Sequence, residues 1–172
     1  MRWQDRVIGL EYHKGREIHD HPRQWRLHPV VQQQALWGVL EEIGKAGALR
    51  VYRGDGSLFP GLEGELIAID GHLRKGQDLD EPWPCVMLDV TDAESCTLIA
   101  VYDPMAAMAG ADAGALAELL EQVSTEDEAV QRLLDEIAAE AAIPESWPEY
   151  DESIADEVEY LECPECGHKW PK

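Results

Sequence analysis

Basic residues are scarce beyond the first third of this 172-residue sequence. Residues 1–54 carry nine Lys and Arg against six Asp and Glu, whereas residues 55–172 carry five against 29. The resulting net charge of −21 disfavours broad contact with a polyanion, because affinity for nucleic acid comes largely from neutralising phosphates. Any contact with DNA falls to residues 1–54. Otherwise the acidic surface suits a basic partner or simply keeps the protein in solution. Long apolar runs are absent too. No stretch reaches the roughly 20 apolar residues of a membrane-spanning helix. Met1-Arg2-Trp3-Gln4-Asp5-Arg6 lacks the apolar core of a signal peptide. The expectation is a soluble cytoplasmic protein with no membrane partner. Only four cysteines occur, and with no export signal they do not form a disulfide scaffold. Cys85 and Cys96 sit among apolar residues and read as small core side chains. Neither G-x-G-x-x-G nor G-x-x-x-x-G-K is present, which argues against Rossmann and P-loop units. There are no internal repeats.

What is present reads as one ordinary domain with a tail. Val7-Ile8-Gly9-Leu10 forms a short strand candidate. Residues 12–28, rich in His, Arg and Trp, have no period and read as an ordered loop, with Trp25 as a core anchor. Pro29 then takes the first position of a helix. Val31, Ala35, Leu36, Val39, Leu40 and Ile43 repeat at helical spacing, and Gly44 ends the run. Residues 48–52 and 85–90 read as strands. Between them, Gly76, Asp78, Asp80, Pro82 and Pro84 oppose a helix after Arg74. Thr91-Asp92-Ala93-Glu94 has capping-box form and opens a helix to about Tyr102, which Pro104 stops. Two helices follow near 112–123 and 126–142, the second capped by Ser124 or Thr125. Strand, helix, strands, then helices describe an α+β fold, a small mixed sheet with packed helices.

The central stretch Glu65-Leu66-Ile67-Ala68-Ile69-Asp70-Gly71-His72-Leu73-Arg74 carries the most chemistry. Its apolar run fits a strand covered on both faces. Gly71 lets the backbone turn sharply and approach a ligand. Arg74 supplies a five-donor fork suited to phosphate or carboxylate. Backbone N–H groups at a helix start would add to an anion site there. The plainer alternative is a turn in which His72 bonds its neighbours.

The order of several short stretches resembles the ParB-like (ParB/sulfiredoxin-like) domains of bacterial and phage proteins, especially the branch associated with DNA methyltransferases. The stretches are His21-Pro22-Arg23-Gln24-Trp25-Arg26-Leu27-His28-Pro29, Leu40-Glu41-Glu42-Ile43-Gly44, Leu66 to Arg74, Leu88-Asp89-Val90-Thr91-Asp92-Ala93-Glu94, and Tyr102-Asp103-Pro104-Met105-Ala106-Ala107-Met108-Ala109. The resemblance covers roughly residues 7–142. The resemblance implies that Gly71, His72 and Arg74 hold the phosphate of a nucleotide or of DNA. Arg23 and Arg26 are candidate DNA contacts. The chain departs from the family where a Gln-Pro pair reads the base, having Gly47-Ala48 instead. It also has Asp103-Pro104-Met105-Ala106 in place of an Asn-x-x-Arg type motif. Sulfiredoxins carry a catalytic Cys after the glycine, and this chain has His72. Weak nucleotide binding is therefore expected, and sulfinic-acid reduction is not.

Residues 144–162 are acidic with isolated aromatics and read as a linker or docking arm. Cys163-Pro164-Glu165-Cys166-Gly167-His168 resembles half of a zinc ribbon. A structural zinc takes four ligands. The remainder would come from a second knuckle in a homodimer, from a partner, or from His168 with His13, His19 or His21. Alternatively the knuckle is a remnant that binds nothing tightly. The organisation expected is thus a ParB-like domain over 1–143, an arm over 144–162 and a knuckle over 163–172. The favoured function is a non-enzymatic accessory in DNA transactions, acting with a DNA methyltransferase. One alternative is a ParB-like nucleotidase or nuclease built on His72, Arg74 and the carboxylates Asp70 and Asp89. Another is an acidic interaction module with no nucleotide role.

Overall fold

The strand that the apolar run identifies lies one in from the edge of a five-stranded sheet. β4 (Leu66–Asp70) is antiparallel to β3 (Leu49–Arg53), with Arg50 opposite Asp70 and Arg53 opposite Leu66. β5 (Pro82–Leu88) lies parallel to β3 on its other side. β1 (Val7–Lys14) pairs antiparallel with β5, and β2 (Ile18–Asp20) pairs parallel with β4. The order is β1-β5-β3-β4-β2. The structure is a computed structural model and describes residues 3–141, 160–162 and 169–171. The chain divides into two units, Met1–Ala141 and Ala142–Lys172.

Side chains alternate along β4, so it feeds two layers of core. Leu66 and Ala68 join Ile18, Leu49, Val51 and Trp83 on one face, against Leu40 of α1 (Val30–Glu42). Ile67 and Ile69 join Tyr52 and Leu88 on the other, against Leu98 and Tyr102 of α3 (Asp92–Ala107). Full burial of each Val, Leu or Ile among them is worth roughly 1.5–3 kcal/mol. The short α2 (His72–Gln77) follows β4 directly. α4 (Ala113–Leu120) and α5 (Glu128–Ala141) complete the unit, with α5 packed on α1. The α+β reading therefore stands.

Several local expectations are corrected. Strand β1 runs on to Lys14, because it is hydrogen-bonded to β5 along its length. Gly15–Glu17 form a 3-10 turn and β2 follows, so the expected loop over 12–28 is partly sheet. Trp25 is no core anchor. It is 55% exposed, and its indole N–H donates to the Ile99 carbonyl at 3.3 Å. Pro29 is the N-cap rather than the first helical residue. Pro104 sits inside α3, which continues to Ala107. A proline removes only its own N–H bond to the preceding turn, and here it lies exposed in the helix's last turn. Cys85 is buried as expected, but Cys96 is only half-buried.

The cap of α5 also differs. Asp127 accepts from the amides of Ala129 and Val130, both at 2.9 Å. Thr125 instead donates to Glu42 at the end of α1, at 2.8 Å, and Glu42 also accepts from the amides of Glu126 and Asp127. These bonds hold the Glu42 carboxyl below its ordinary pKa. Gly38 makes the contact between the helices feasible: an added Cβ would lie 2.4 Å from the Asp127 carboxyl carbon.

In the second unit, β6 (Tyr160–Glu162) and β7 (Lys169–Pro171) pair antiparallel. Cys163, Cys166 and His168 lie outside the described residues, as does most of the expected arm. Among the described residues no helix is long and apolar enough to cross a membrane.

Candidate functional site: the Gly71 turn and its cavity

Strand β4 ends at Asp70, and the chain turns at Gly71 with φ +92° and ψ 15°. An L side chain is strained in that region. A Cβ here would also meet Leu49 Cδ2 at 2.4 Å and Arg74 Nη2 at 3.1 Å. The turn therefore requires glycine on two independent grounds. It launches α2, whose six residues are too few to build much of a macrodipole. Anion affinity at this place must come from side chains.

Those side chains line a cavity of about 370 Å³. Gly71, His72, Arg74 and Arg26 are all on its wall, with His28 beside them. Ala35, Leu36 and Val39 of α1 and Leu133 of α5 form an apolar wall. The structure thus brings together Gly71, His72 and Arg74, and adds Arg26. Arg23 is exposed and does not line the cavity; its backbone N–H donates to His21 Nδ1 at 3.0 Å.

The cations of the cavity are already matched. Arg74 donates to Asp70 at 3.1 Å, and Arg50 reaches the same carboxylate at 3.4 Å. Arg26 is paired with Asp103. A phosphate entering here competes with these carboxylates. The pattern extends over the sequence's basic third, where Arg6, Arg16, Lys45 and Arg53 are also in ion pairs.

His72 faces two partners that the glycine stretch alone does not suggest. His28 Nε2 lies 3.0 Å from His72 Nε2, and the Gln24 amide contacts the same nitrogen. Gln32 Oε1 is 2.9 Å from His28 Nδ1. An amide oxygen only accepts, so a neutral His28 carries its proton on Nδ1 and offers Nε2 as an acceptor. His72 Nε2 thus meets both this acceptor and the Gln24 amide nitrogen, a donor. Burial, and after it the neighbouring His28, lowers the His72 pKa. Both histidines belong to stretches legible in the sequence, but their meeting depends on β4 and the N-terminus of α1 converging.

A second polar cluster is structural. His21 Nε2 lies 2.9 Å from Ser95 Oγ, the spacing of a nucleophile and its base. Both residues are buried, and Ser95 also bonds the Asp92 carbonyl at 2.7 Å and the Tyr52 hydroxyl at 3.0 Å. Asp92 is fully buried and accepts from Tyr52 OH and from the amides of Asp55, Leu58 and Phe59. The cluster ties the start of α3 to β3 and to the 55–59 loop. With both ring nitrogens used, His21 is not a free zinc ligand. Burial lowers its pKa and raises that of Tyr52.

The carboxylates Asp70 and Asp89 are not brought together. Asp70 sits beside Arg50 at the start of β3, whereas Leu88, just before Asp89, pairs with Tyr52 near its end. Asp89 does not line the cavity. Among the described residues no group of three or more His, Cys, Asp or Glu could hold a metal ion.

No protein-family model matches the chain, and no curated protein matches it. Among solved structures it is similar to the C-terminally truncated chromosome-partitioning protein ParB from Caulobacter crescentus, complexed with CTP-γ-S. The TM-score is 0.51 at 15% sequence identity, over 67% of this chain. The fold is ParB-like. The chain spans 64% of the length of that ParB chain, so the likeness describes architecture. In this ParB-like fold the Gly71 turn sits at the end of the most buried strand, beside the cavity.

Proposed function

We propose that the protein binds a phosphate-bearing ligand, a nucleotide before DNA, in the cavity at Gly71. It would act as a non-enzymatic ParB-like accessory in DNA transactions, alongside a DNA methyltransferase. The observation that carries this reading is the meeting of Gly71, His72, Arg74 and Arg26 on one cavity that also has an apolar wall. Two guanidinium groups suit a phosphate. An apolar wall opposite suits the flat body of a nucleoside, and about 370 Å³ lies within the usual size of a small-molecule site. The ParB-like fold, and the CTP-γ-S in the ParB structure it resembles, support a nucleotide as the first ligand to test.

Affinity is expected to be weak. The guanidinium groups are engaged by Asp70 and Asp103, and the whole chain is strongly acidic. A nuclease or nucleotidase is disfavoured because Asp70 and Asp89 lie at opposite ends of the sheet. DNA contact through residues 1–54 rests on the exposed Lys14 and Arg23 and on what Arg26 can release from Asp103. The pairing of most other cations there favours, as the second reading, an interaction module with no nucleotide role. The modular order 1–143, 144–162 and 163–172, with zinc at Cys163 and Cys166, belongs to the same proposal.

Calorimetric titration of CTP, ATP and a short DNA duplex into wild type and Arg74→Ala tests the site. Binding of a nucleotide to wild type that is lost in Arg74→Ala, with the melting temperature kept, is the expected result. No binding of any of the three, or equal binding to both proteins, makes the loop a turn and puts the interaction module first.

A further inference from the structure

The face of α1 that carries Trp37 lies about 150°, nearly half a turn, round the helix from the face lining the Gly71 cavity. Trp37 is 47% exposed and forms the wall common to two open grooves. The first, about 250 Å³, runs over Leu40 and Trp83 and is edged by Glu41, Asp78 and Glu81. The second, about 530 Å³, follows the start of α5 past Glu126, Asp127 and Glu128, three carboxylates against the one cation on its wall, Arg132.

The first groove already contains a cation from the chain itself. Lys45 Nζ stands 4.5 Å from the centre of the Trp83 ring, donates to the Pro82 carbonyl at 3.0 Å and lies 3.5 Å from Glu81. An ammonium over an indole, closed by a carboxylate, is a favourable cation–π arrangement. Lys45 satisfies only one end of the groove. Among the described residues neither Glu41 nor Asp78 has an ion-pair partner, and no cation covers the indole of Trp37. The same chemistry is thus available a second time, on the exposed ring.

We propose that the Trp37 face docks an extended basic peptide segment of a partner protein, one Arg or Lys side chain stacking on Trp37 and pairing with Glu41. Charge decides the occupant. A purely apolar segment would bury the Glu41 carboxylate unpaired, which is costly, whereas Asp78 already accepts from the amides of Asp80 and Glu81. A polyanion is repelled by the same carboxylates. A basic segment gains both the π face and the ion pair, and the net charge of −21 speeds its approach. The site lies on a different face of α1 from the phosphate cavity, so either reading can fail alone.

The probe is an acetylated, fluorescein-labelled tetra-arginine peptide, read by anisotropy at low and moderate salt, with a Gly-Ser peptide of equal length as control. Wild type is expected to bind the arginine peptide in a salt-sensitive manner and to ignore the control. Trp37→Ala, which leaves the net charge unchanged, should weaken binding about 5- to 10-fold. Glu41→Gln should weaken it to a similar degree. Trp3→Ala, at a Trp that is 90% exposed elsewhere, should bind as wild type does. Retained melting temperatures show that the variants fold. Equal binding by wild type and Trp37→Ala would reduce the effect to diffuse acidity and overturn the proposal, as would absence of binding to wild type.

Discussion

Arg74 reaches back across the Gly71 turn to Asp70, Nη2 to Oδ2 at 3.1 Å, in a carboxylate that Arg50 also contacts. The residue best suited to a phosphate is therefore held by an internal competitor. The pair is partly exposed, and such pairs add little stability.

Asp70→Asn should release Arg74 and Arg50 together. Nucleotide binding is expected to tighten several-fold, while the urea midpoint moves by less than about 1 kcal/mol equivalent. Calorimetry and a denaturation curve on the same preparation check both. Weaker binding in Asp70→Asn would mean that Asp70 positions Arg74 rather than competing for it.

Stability should fall on mild acidification. Burial lowers the pKa of His21 and His72 in the fold. Unfolded imidazoles take their proton near pH 6.5, while the folded ones resist to lower pH. Below about pH 6.5 the unfolded chain thus binds more protons, and stability is lost as pH falls. Above that pH the contribution is fully present. Glu94, held down to about 2 first by its bond to Arg6 and then by Thr91, acts in a separate window, from the ordinary carboxyl range downward. Melting temperatures between about pH 7.5 and pH 5.5 therefore isolate the histidines. His72→Asn should flatten the slope, and an unchanged slope would place the sensitivity elsewhere.

Asp92 should be the costliest polar side chain to remove. Its carboxylate receives Tyr52 OH and three backbone amides. Asp92→Ala takes this acceptor from the buried Tyr52 hydroxyl and from three part-buried amides, at an expected cost of about 3–5 kcal/mol. Ser95→Ala, which leaves Tyr52 its bond to Asp92, should cost about 1–2 kcal/mol. Equilibrium unfolding in urea ranks the two, and the reverse order would show that the carboxylate is dispensable.

The legible parts of the fold are those whose signal is local. β4 shows as an uninterrupted apolar run because both its faces are covered. The α3 cap shows because Thr91 and Glu94 exchange bonds within four residues. β2 and the second half of β1 are edge strands with mostly exposed, charged side chains, so no apolar alternation marks them. Trp25 misleads because its indole satisfies itself on Ile99 while leaving one face wet. Gly71 and Arg74 are visible as residue types; the Asp70 and His28 contacts that qualify them depend on how the strands and helices meet.

Zinc should accompany the purified protein if the knuckle is a metal site. Thiolates three residues apart can share one ion, so Cys163→Ser is expected to release it under reducing, chelator-free conditions. Metal analysis near one zinc per two chains would indicate a site shared in a dimer, with Cys ligands from both copies. Far less zinc than that would remove the knuckle from the functional account.

The contact between α1 and α5 makes Gly38 an unusual helix residue. In an exposed helix interior, Gly→Ala stabilises by about 1 kcal/mol. Here the new methyl would lie 2.4 Å from the Asp127 carboxyl carbon, and Asp127 is fixed by its bonds to the amides of Ala129 and Val130. The carboxylate cannot swing away without uncapping α5. Glu42, bonded to Thr125 and to the Glu126 and Asp127 amides, holds the same segment from the other side. Gly38→Ala is therefore expected to destabilise by about 1–3 kcal/mol, the opposite sign from helix propensity. Asp127→Ala alone should cost about 1 kcal/mol as a lost cap. Adding Gly38→Ala to it should then be neutral or stabilising, because the obstructing carboxylate is gone. A double-mutant cycle in urea reads this coupling directly. Simple additivity would mean that the two helices separate to admit the methyl.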